Sequence, residues 1–208
     1  DFDLYKRIIQ ELKQIGVNRE LLDTLYIWDA KLAEHGIPVI NTRKAFIEKL
    51  NRLICPIHRK LTGGKEEIIL RYEPNVIPEE FEETLKRSQE KDLILKMTGV
   101  GPHRDDVMFV VDNQDVRKYG SQGQQRTSAL SLKLAEIELV KETIGDNPVL
   151  LLDDVLSELD RNRQNYLLNS IGDIQTIITC TGLEEFINNR FKYDKIFHVA
   201  NNTVSSEN

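Results

Sequence analysis

The segment PVLLLDDVLSELD, from Pro148 to Asp160, constrains the fold of this chain more than any other feature. Its three leucines, Leu150 to Leu152, form a run that is apolar on both faces, which predicts a central strand of a sheet. Two carboxylates, Asp153 and Asp154, follow directly. Ligands of open α/β sheets bind beyond the carboxyl ends of the strands, so the segment predicts a site at that edge of the sheet.

The two adjacent acids also indicate a chemistry. Burying carboxylates without partners is costly, and a bound Mg²⁺ would remove that cost. Asp153 would then hold the metal through water, and Asp154 would act as the general base on an attacking water. The alternative is that both acids are helix N-caps or solvated loop residues after a core strand.

The pattern of predicted secondary structure differs between two parts of the chain. Residues 1–97 are mostly helical in pattern, with a short strand near 66–73. Residues 98–208 alternate short apolar runs with helical stretches, which predicts a parallel or mixed sheet covered by helices. The apolar runs are VMFVV, PVLLLDD, IQTIITC and KIFHV. We predict an α/β protein with a helical arm domain over 1–97 and a second domain over 98–208.

Within the predicted arm, helix breakers define the elements. Gly36 and Pro38 predict the end of a first helix, and a second helix is predicted to begin after Thr42. Pro78 is expected in the first turn of a further helix, where acidic residues favour the helix dipole.

A polar stretch, KYGSQGQQRTS, precedes the run of alanine and leucine after residue 128. Ser121 and Gln124 have the spacing of a capping box, which predicts a helix beginning there. Gly120 and Gly123 allow a backbone and a ligand to approach closely. A bare helix tip of this kind predicts a phosphate-docking surface, and an ordinary capped helix is the alternative.

The motif GPHRDD, residues 101–106, admits two interpretations. His103 and Arg104 could contact a nucleic acid or a nucleotide. Alternatively, the motif is a turn in which Arg104 pairs with Asp105 or Asp106 and stabilises a hairpin.

Composition limits the classes of function. Apolar residues make up 40% and charged residues 30%, which indicates a globular chain. The net charge of −6 does not by itself indicate a nucleic-acid binder, although a local basic strip can act against an acidic background. No apolar run reaches the roughly 18 residues of a membrane span.

The start of the sequence and its two cysteines give expectations about the extent of the chain and its redox environment. The start DFDLYKR has neither an initiator methionine nor an apolar leader, so we expect a piece cut from a longer protein. Cys55 and Cys180 lack metal-ligand spacing, which is typical of reduced thiols in a cytosolic protein.

Taken in this order, GPHRDD, GSQGQQRT and LLLDDVLSELD resemble the RecF family of bacterial recombination mediators, whose heads are of the ABC ATPase type. LYIWDAKLAEHG and FIEKLN resemble the arm domain of that family. The resemblance covers nearly the whole chain. It implies a helical arm over 1–97 followed by the carboxyl-terminal half of an ABC-type head over 98–208.

The resemblance also implies roles for particular residues. Ser121, Gln122, Gly123 and Gln124 match the signature loop, which contacts the γ-phosphate of ATP bound to the opposite subunit. Asp153 matches the Walker B aspartate, and Asp154 stands where many ABC ATPases have a catalytic glutamate. The remaining matches are Ser157 and Asp160 in the D-loop and Thr181 near the switch position.

Two departures from the family pattern limit what this chain can do alone. No P-loop of the form G-x-x-x-x-G-K-[ST] occurs, and LTGGKEE at residues 61–67 has the wrong spacing. The resemblance places the P-loop in a preceding part, so we expect this chain alone to bind ATP poorly and to be inactive. Because Asp154 is one methylene shorter than glutamate, we expect the intact protein to hydrolyse ATP slowly.

For the intact protein, the resemblance implies binding of ATP and Mg²⁺, head-to-head dimerisation, and binding of single-stranded and double-stranded DNA at gaps or junctions. RecR, RecO and RecA are the implied partners, in cytoplasmic DNA repair, replication restart and the SOS response. Two alternatives remain open. One is an SMC-type head with a coiled-coil arm, against which the broken helices and the absence of sustained heptads argue. The other is a non-enzymatic interaction arm of an SMC-like ABC ATPase.

Overall fold

The computed structural model describes residues 24–180 and 193–207 of the 208-residue chain. The chain divides into two compact units, Asp1–Leu139 and Val140–Asn208. Helices and small sheets are mixed in both, which confirms the predicted α/β class. None of the helices within the described ranges combines the length and the apolar character needed to cross a membrane.

The first unit contains, in chain order, helix α1 (Leu25–Leu61), strand β1 (Ile68–Glu73), helix α2 (Phe81–Leu95), strands β2 (Asp106–Val111) and β3 (Gln114–Asp115), the short helix α3 (Val116–Tyr119) and most of helix α4 (Gln122–Ile144). Short 3-10 turns at Pro78–Glu80 and Pro102–Arg104 precede α2 and β2. Pro78 therefore lies at the start of a helical segment, as predicted.

Helix α1 is continuous for 37 residues, and the predicted break at Gly36 and Pro38 is wrong. A proline inside a helix removes one backbone hydrogen bond and costs about 3 kcal/mol. Apolar side chains on both sides of Pro38 offset that cost, since α1 contributes to two separate core clusters. Gly36 is buried against the ring of Phe81, and a Cβ at that position would collide with the ring.

Two hydrophobic clusters form the core of the first unit. The cluster near the start of α1 contains Leu32, Ala33, Ile40, Val76, Phe81 and Leu85. The cluster near its end contains Ile47, Leu50, Ile54, Ile68, Leu70, Val111, Val116, Ala135 and Leu139. The second cluster joins α1, the sheet and α4, so burial of apolar surface holds the second half of α4 against the second half of α1.

The sheet of the first unit has the order β1-β2-β3. Strands β1 and β2 are antiparallel, with a register that runs from Ile68 opposite Val111 to Glu73 opposite Asp106. The predicted strand near 66–73 is confirmed. Since this sheet pairs strands from either side of position 97, the predicted boundary between 97 and 98 lies within the first unit. The division into an arm and a head stays a prediction.

The second unit contains strand β4 (Leu150–Asp153), helix α5 (Arg161–Ser170) and strands β5 (Thr176–Thr179), β6 (Ile196–Ala200) and β7 (Thr203–Glu207). Strands β4 and β5 are parallel, which confirms the predicted parallel pairing, and β6 and β7 form an antiparallel pair. Buried leucines and isoleucines of α5 and of the turn that follows it, Leu167, Leu168, Ile171 and Ile174, form its apolar interior.

In the described part of the chain, β4 has a single hydrogen-bonded neighbour, β5. Leu151 is 71% exposed and Ile177 is 57% exposed, so one face of this two-stranded sheet is open. The prediction that β4 is a central strand is therefore wrong for the described residues. The apolar run correctly indicated a strand, but it did not indicate how many strands are paired with it.

Candidate functional site

Helix α4 begins with the predicted capping box. The backbone N–H of Gln124 donates to Oγ of Ser121 at 3.2 Å, and the N–H of Ser121 donates to Oε1 of Gln124 at 2.9 Å. Each side chain thus satisfies a backbone donor of the other residue, as a capping box requires. The local spacing alone was sufficient to predict this geometry.

Side chains of two glutamines connect the helix start to neighbouring elements. Nε2 of Gln124 donates to Oε1 of Glu66 at 3.2 Å, across 58 positions of the chain. Nε2 of Gln125 donates to the carbonyl oxygens of Val116 and Gly120, at 3.2 and 3.3 Å. Sequence reasoning missed both connections. No local signal specifies the contact of Gln124 with Glu66, which lies on a distant turn.

The two glycines of the loop have different reasons for being glycine. A Cβ on Gly120 would lie 2.6 Å from the carbonyl oxygen of Val116, so packing inside this chain excludes any side chain there. Among the described residues, a Cβ on Gly123 would meet only Oγ of Ser121, at 3.8 Å, an ordinary contact. The fold of this chain therefore does not require glycine at 123, which leaves room for the close approach of another molecule.

The tip of α4 is open. Ser121, Gln122 and Gly123 are exposed, and the N–H groups of Gln122 and Gly123 have no hydrogen-bond partner among the residues that the structure describes. The helix dipole places partial positive charge at this end. Exposed N–H donors and that charge together suit an anion such as a phosphate.

A buried polar stripe runs along α4 below this tip. Thr127, Ser128 and Ser131 are buried, and His58 of α1 is 0% exposed beside them. Oγ1 of Thr127 donates to the carbonyl oxygen of Gly123 at 2.6 Å. Sequence reasoning missed the stripe, although its polar residues recur at helical spacing from Gln124 onward.

The paired acids lie at the carboxyl end of β4, next to the end of β5 in the parallel pair. Oγ1 of Thr179 donates to Oδ1 of Asp153. The N–H of Asp154 donates to the carbonyl oxygen of Thr179 at 3.1 Å. Both aspartates are exposed, and Asp154 adopts a left-handed backbone conformation with φ of 50°. This conformation turns the chain sharply at the point where the strand ends.

The carboxylate oxygens at this edge would supply only part of the ligands that Mg²⁺ needs. Mg²⁺ prefers oxygen ligands and binds through one or two carboxylates together with waters and substrate phosphates. Asp153 and Asp154 supply such oxygens, and within the described ranges no group of three or more His, Cys, Asp or Glu side chains could hold a metal. An ion here would therefore take most of its ligands from a nucleotide and water.

The D-loop and switch residues have local roles or lie elsewhere. Asp160 is the N-cap of α5 and accepts hydrogen bonds from the N–H groups of Arg163 and Asn162. These bonds, the one from Arg163 first, hold the pKa of the Asp160 carboxyl below its usual range. Ser157 belongs to the 3-10 turn Val155–Glu158. Thr181 lies outside the described residues.

In the GPHRDD motif, Asp105 is the centre of a hydrogen-bond network. Its side chain is 3% exposed and accepts from Nη1 of Arg43 at 2.9 Å, from the hydroxyl of Tyr72, and from the N–H of Asn75 at 2.9 Å. Burial, followed by the bond to Asp105, raises the pKa of Tyr72 well above its usual range. Arg43 also donates to the carbonyl oxygen of Pro102.

The other residues of this motif are closer to the surface. Asp106 pairs with Arg117 at 2.6 Å, and that bond lowers the pKa of Asp106. The acids of the motif are therefore paired, as the structural interpretation predicted, but their partners are Arg43 and Arg117 rather than Arg104. His103 and Arg104 are exposed on the 3-10 turn, and Nε2 of His103 lies 2.9 Å from the carbonyl oxygen of Thr98.

Comparison with curated proteins gives close relatives. The chain is 59% identical over 204 residues to the DNA replication and repair protein RecF of Lachnoclostridium phytofermentans, a match that covers 96% of this chain and 57% of the relative. RecF of Clostridium perfringens is 44% identical over 209 residues, with 96% and 57% covered. The chain thus spans slightly more than half the length of the curated relatives it matches. No protein-family model matches it.

Solved structures agree with these relatives. A structure of the recombination mediator protein RecF with ATP, in the RecFOR pathway, superimposes with a TM-score of 0.81 at 32% identity and covers 100% of this chain and 56% of that one. A second, of RecF with ATPrS, gives 0.80 at 33% identity, with 99% and 55% covered. Sequence and fold agree along almost the entire chain, which therefore belongs to the RecF family and corresponds to slightly more than half the length of its members.

Proposed function

We propose that the full-length protein is an ATP-dependent recombination mediator that pairs two copies around bound nucleotide and acts on DNA in repair. The observation that carries this proposal is the exposed tip of α4, where capped Ser121 and the open N–H groups of Gln122 and Gly123 form a surface suited to phosphate. This tip occurs in a chain 59% identical to a DNA replication and repair protein RecF.

The tip would act on nucleotide held by the other copy. Ser121, Gln122, Gly123 and Gln124 would present N–H and side-chain donors to the γ-phosphate across a two-fold interface. In such an isologous interface each copy supplies the same loop to its partner. Because this contact exists only when the terminal phosphate is present, nucleotide would control dimerisation.

The acid pair would supply the chemistry at the phosphate. Asp153 would hold Mg²⁺, which would neutralise phosphate charge when bound. Asp154 would orient the attacking water and accept its proton. The shorter side chain of Asp154 reaches less far than glutamate, so hydrolysis would be slow and would time the separation of the dimer. Asp154→Glu in the full-length protein should raise turnover, and an unchanged or lower rate would contradict this timing role.

The residues matched to the D-loop and to the switch position also have roles in this proposal. Ser157 and Asp160 would belong to the loop that crosses the dimer interface, and Thr181 would lie near the γ-phosphate. The arm would comprise residues 1–97, and the head portion would comprise 98–208. No P-loop occurs in the 208 residues, so this chain alone would bind ATP weakly.

DNA binding would depend on local surfaces, since the chain has a net charge of −6. Single-stranded and double-stranded DNA at gaps or junctions would be held mainly through phosphates, which makes binding strongly salt-dependent. His103 and Arg104 are exposed candidates for such contacts. RecO, RecR and RecA would be the partners, and the protein would act in the cytoplasm during replication restart and the SOS response.

A second candidate is a non-enzymatic interaction arm of an SMC-like ABC ATPase, for which the unbroken 37-residue α1 would provide a long helical surface. Binding of a partner protein with no effect of nucleotide would support that candidate. Dimerisation and DNA binding that both require ATP would support the mediator.

The decisive experiment measures ATP-dependent dimerisation and DNA binding of the full-length protein with Ser121→Arg. The arginine should block the approach of the partner copy and abolish both. Ser121→Ala controls for loss of the cap, and Ala129→Arg adds the same side chain to an exposed position of the same helix. Dimerisation by Ser121→Arg at the level of Ala129→Arg would overturn the proposal.

A further inference from the structure

The signature-type loop, residues 121–124, makes one contact that nucleotide binding does not explain. Oε1 of Glu66, in the turn between α1 and β1, accepts a hydrogen bond from Nε2 of Gln124 at 3.2 Å. The side chain of Glu66 is 24% exposed, so solvent reaches it only in part. Gln124 is thereby held at both ends of its amide, since its Oε1 already accepts from Ser121.

The second oxygen of Glu66 faces the last turn of α1. Nε2 of His58 lies 3.4 Å from Oε2 of Glu66, and the ring is completely buried. On its other side, Nδ1 of His58 lies 2.9 Å from Oγ of Ser131. Since the hydroxyl of Ser131 donates its one hydrogen to the carbonyl oxygen of Thr127 at 2.7 Å, Nδ1 of His58 is the donor to Ser131.

The end of α1 and the turn that follows it therefore hold α4 at two points on one side. Gln124 and Ser131 are seven positions apart, which is about two helical turns, so both side chains lie on the same face of α4. His58 contacts Ser131 directly and lies next to Glu66, which contacts Gln124. The Gln124 contact lies within one residue of the exposed tip, and the Ser131 contact lies inside the helix.

Burying polar side chains of this kind stabilises the contact between two helices less than burying apolar side chains would. Buried polar groups cost free energy unless each has a partner, and apolar side chains of similar volume fill such spaces at least as well. His58, Thr127 and Ser131 are each buried, while apolar clusters already join α1 to α4.

We propose that Glu66 is a positioning residue for the signature-type loop. It holds the amide of Gln124 in the orientation that closes the capping box with Ser121. The tip is then presented to nucleotide on the partner copy in one geometry, which lowers the ordering cost of pairing. This inference rests on the proposed function, because it assigns the loop a nucleotide on the partner.

The test compares Glu66→Ala with Glu67→Ala in the full-length protein. Glu67 is the adjacent acid, but it pairs with Arg59 and does not touch the loop. Loss of one partly buried hydrogen bond should weaken ATP-dependent dimerisation about fivefold to tenfold in Glu66→Ala, with ATP binding to the monomer unchanged. Glu67→Ala should dimerise like the wild type.

Two further measurements separate positioning from general stability. Glu66→Gln keeps a carbonyl oxygen that can accept from Gln124, so it should restore dimerisation to within about twofold of wild type. In the nucleotide-free protein, the side-chain amide signals of Gln124 in ¹H–¹⁵N spectra should shift in Glu66→Ala and stay in place in Glu67→Ala. A stability effect alone would not produce that selective shift.

The results separate the positioning role of Glu66 from the proposed function. If Ser121→Arg blocks dimerisation and Glu66→Ala pairs normally, the positioning role is overturned and the proposed function stands. If Glu66→Ala and Glu67→Ala weaken pairing equally, or Glu66→Gln fails to restore it, the positioning role is also overturned. If Ser121→Arg itself pairs normally, the proposed function fails first.

Discussion

The two regions that carry the candidate site differ in how firmly this chain holds them. In the loop at the start of α4, Gln124 is hydrogen-bonded at both ends of its amide, to Ser121 and to Glu66 of a distant turn. At the end of β4, Asp153 accepts from Thr179, and this acid lies on a two-stranded sheet with an exposed face. The loop is therefore tied to a turn 58 positions away, whereas the acid pair is tied to the adjacent strand.

The loop and the acid pair therefore contribute differently to stability and to function. The loop has its geometry before any partner arrives, because contacts inside the first unit determine it. The acids are exposed side chains at a strand end, where few contacts limit their rotamers. Substitutions of the loop residues that make these contacts should therefore affect stability and function together, whereas substitutions of the acids should affect function with little change in stability.

The largest expected effect is that of Asp154→Asn in the full-length protein. Removing a general base should lower ATP turnover about 100-fold or more, while the free energy of unfolding changes by less than about 0.5 kcal/mol. Asparagine tolerates the left-handed backbone at this position, where φ is 50°. Turnover assays and urea unfolding would check both values. Unchanged turnover would remove Asp154 from the chemistry.

The two loop glycines provide the next test. Gly120→Ala should lower the free energy of unfolding by about 3 kcal/mol, because its Cβ would lie 2.6 Å from a backbone oxygen of Val116. Gly123→Ala should leave stability unchanged or raise it by up to about 0.5 kcal/mol, and yet weaken ATP-dependent dimerisation. Equal losses of stability in both variants would show that the fold requires both glycines.

Asp105→Asn should have a smaller effect on stability, about 2 kcal/mol, because an amide cannot accept from all three donors of this buried carboxylate. Asp106→Asn is the matched control, since Asp106 and its partner Arg117 are exposed and should matter little. In Asp105→Asn the pKa of Tyr72 should fall toward its ordinary value, which tyrosinate absorbance would detect. Equal stability of the two variants would contradict this.

Asp160→Ala removes the N-cap of α5 and should cost about 1 kcal/mol, while Asp160→Asn keeps an accepting oxygen. The folded pKa of Asp160 is lowered, so its charge stabilises the fold above the ordinary carboxyl pKa. This contribution disappears as the pH falls through the folded pKa. Unfolding curves of the wild type and Asp160→Asn should therefore converge in acid. A constant difference would contradict the assignment.

Leu151→Thr should have the smallest effect, below about 0.5 kcal/mol in this chain, because Leu151 is exposed. The same substitution at buried Leu70 of β1 should cost about 2 kcal/mol or more. A loss at Leu151 comparable to that at Leu70 would show that the open face of β4 and β5 is covered, and the contrast between the two regions would weaken.

Much of the fold was predictable where a local signal was sufficient. The capping box at Ser121 depends on residues three apart, and the strands near 66–73 and 150–153 on short apolar runs. The prediction of a helix break at Gly36 and Pro38 was wrong, because burial of apolar side chains along α1 outweighs the local cost of proline. The contact between Glu66 and Gln124 could not be predicted, since 58 positions separate them.

The amino-acid sequence by itself determined the alternation of elements, the capped start of α4 and the placement of two acids after a strand. These depend on the chemistry of neighbouring residues and on periodicity, which any chain carries before it folds. Only the tertiary structure decided that α1 continues through Pro38 and that Glu66 holds Gln124. Each of these depends on which distant surfaces are buried together, and the free energy of that burial has no local signature in the sequence.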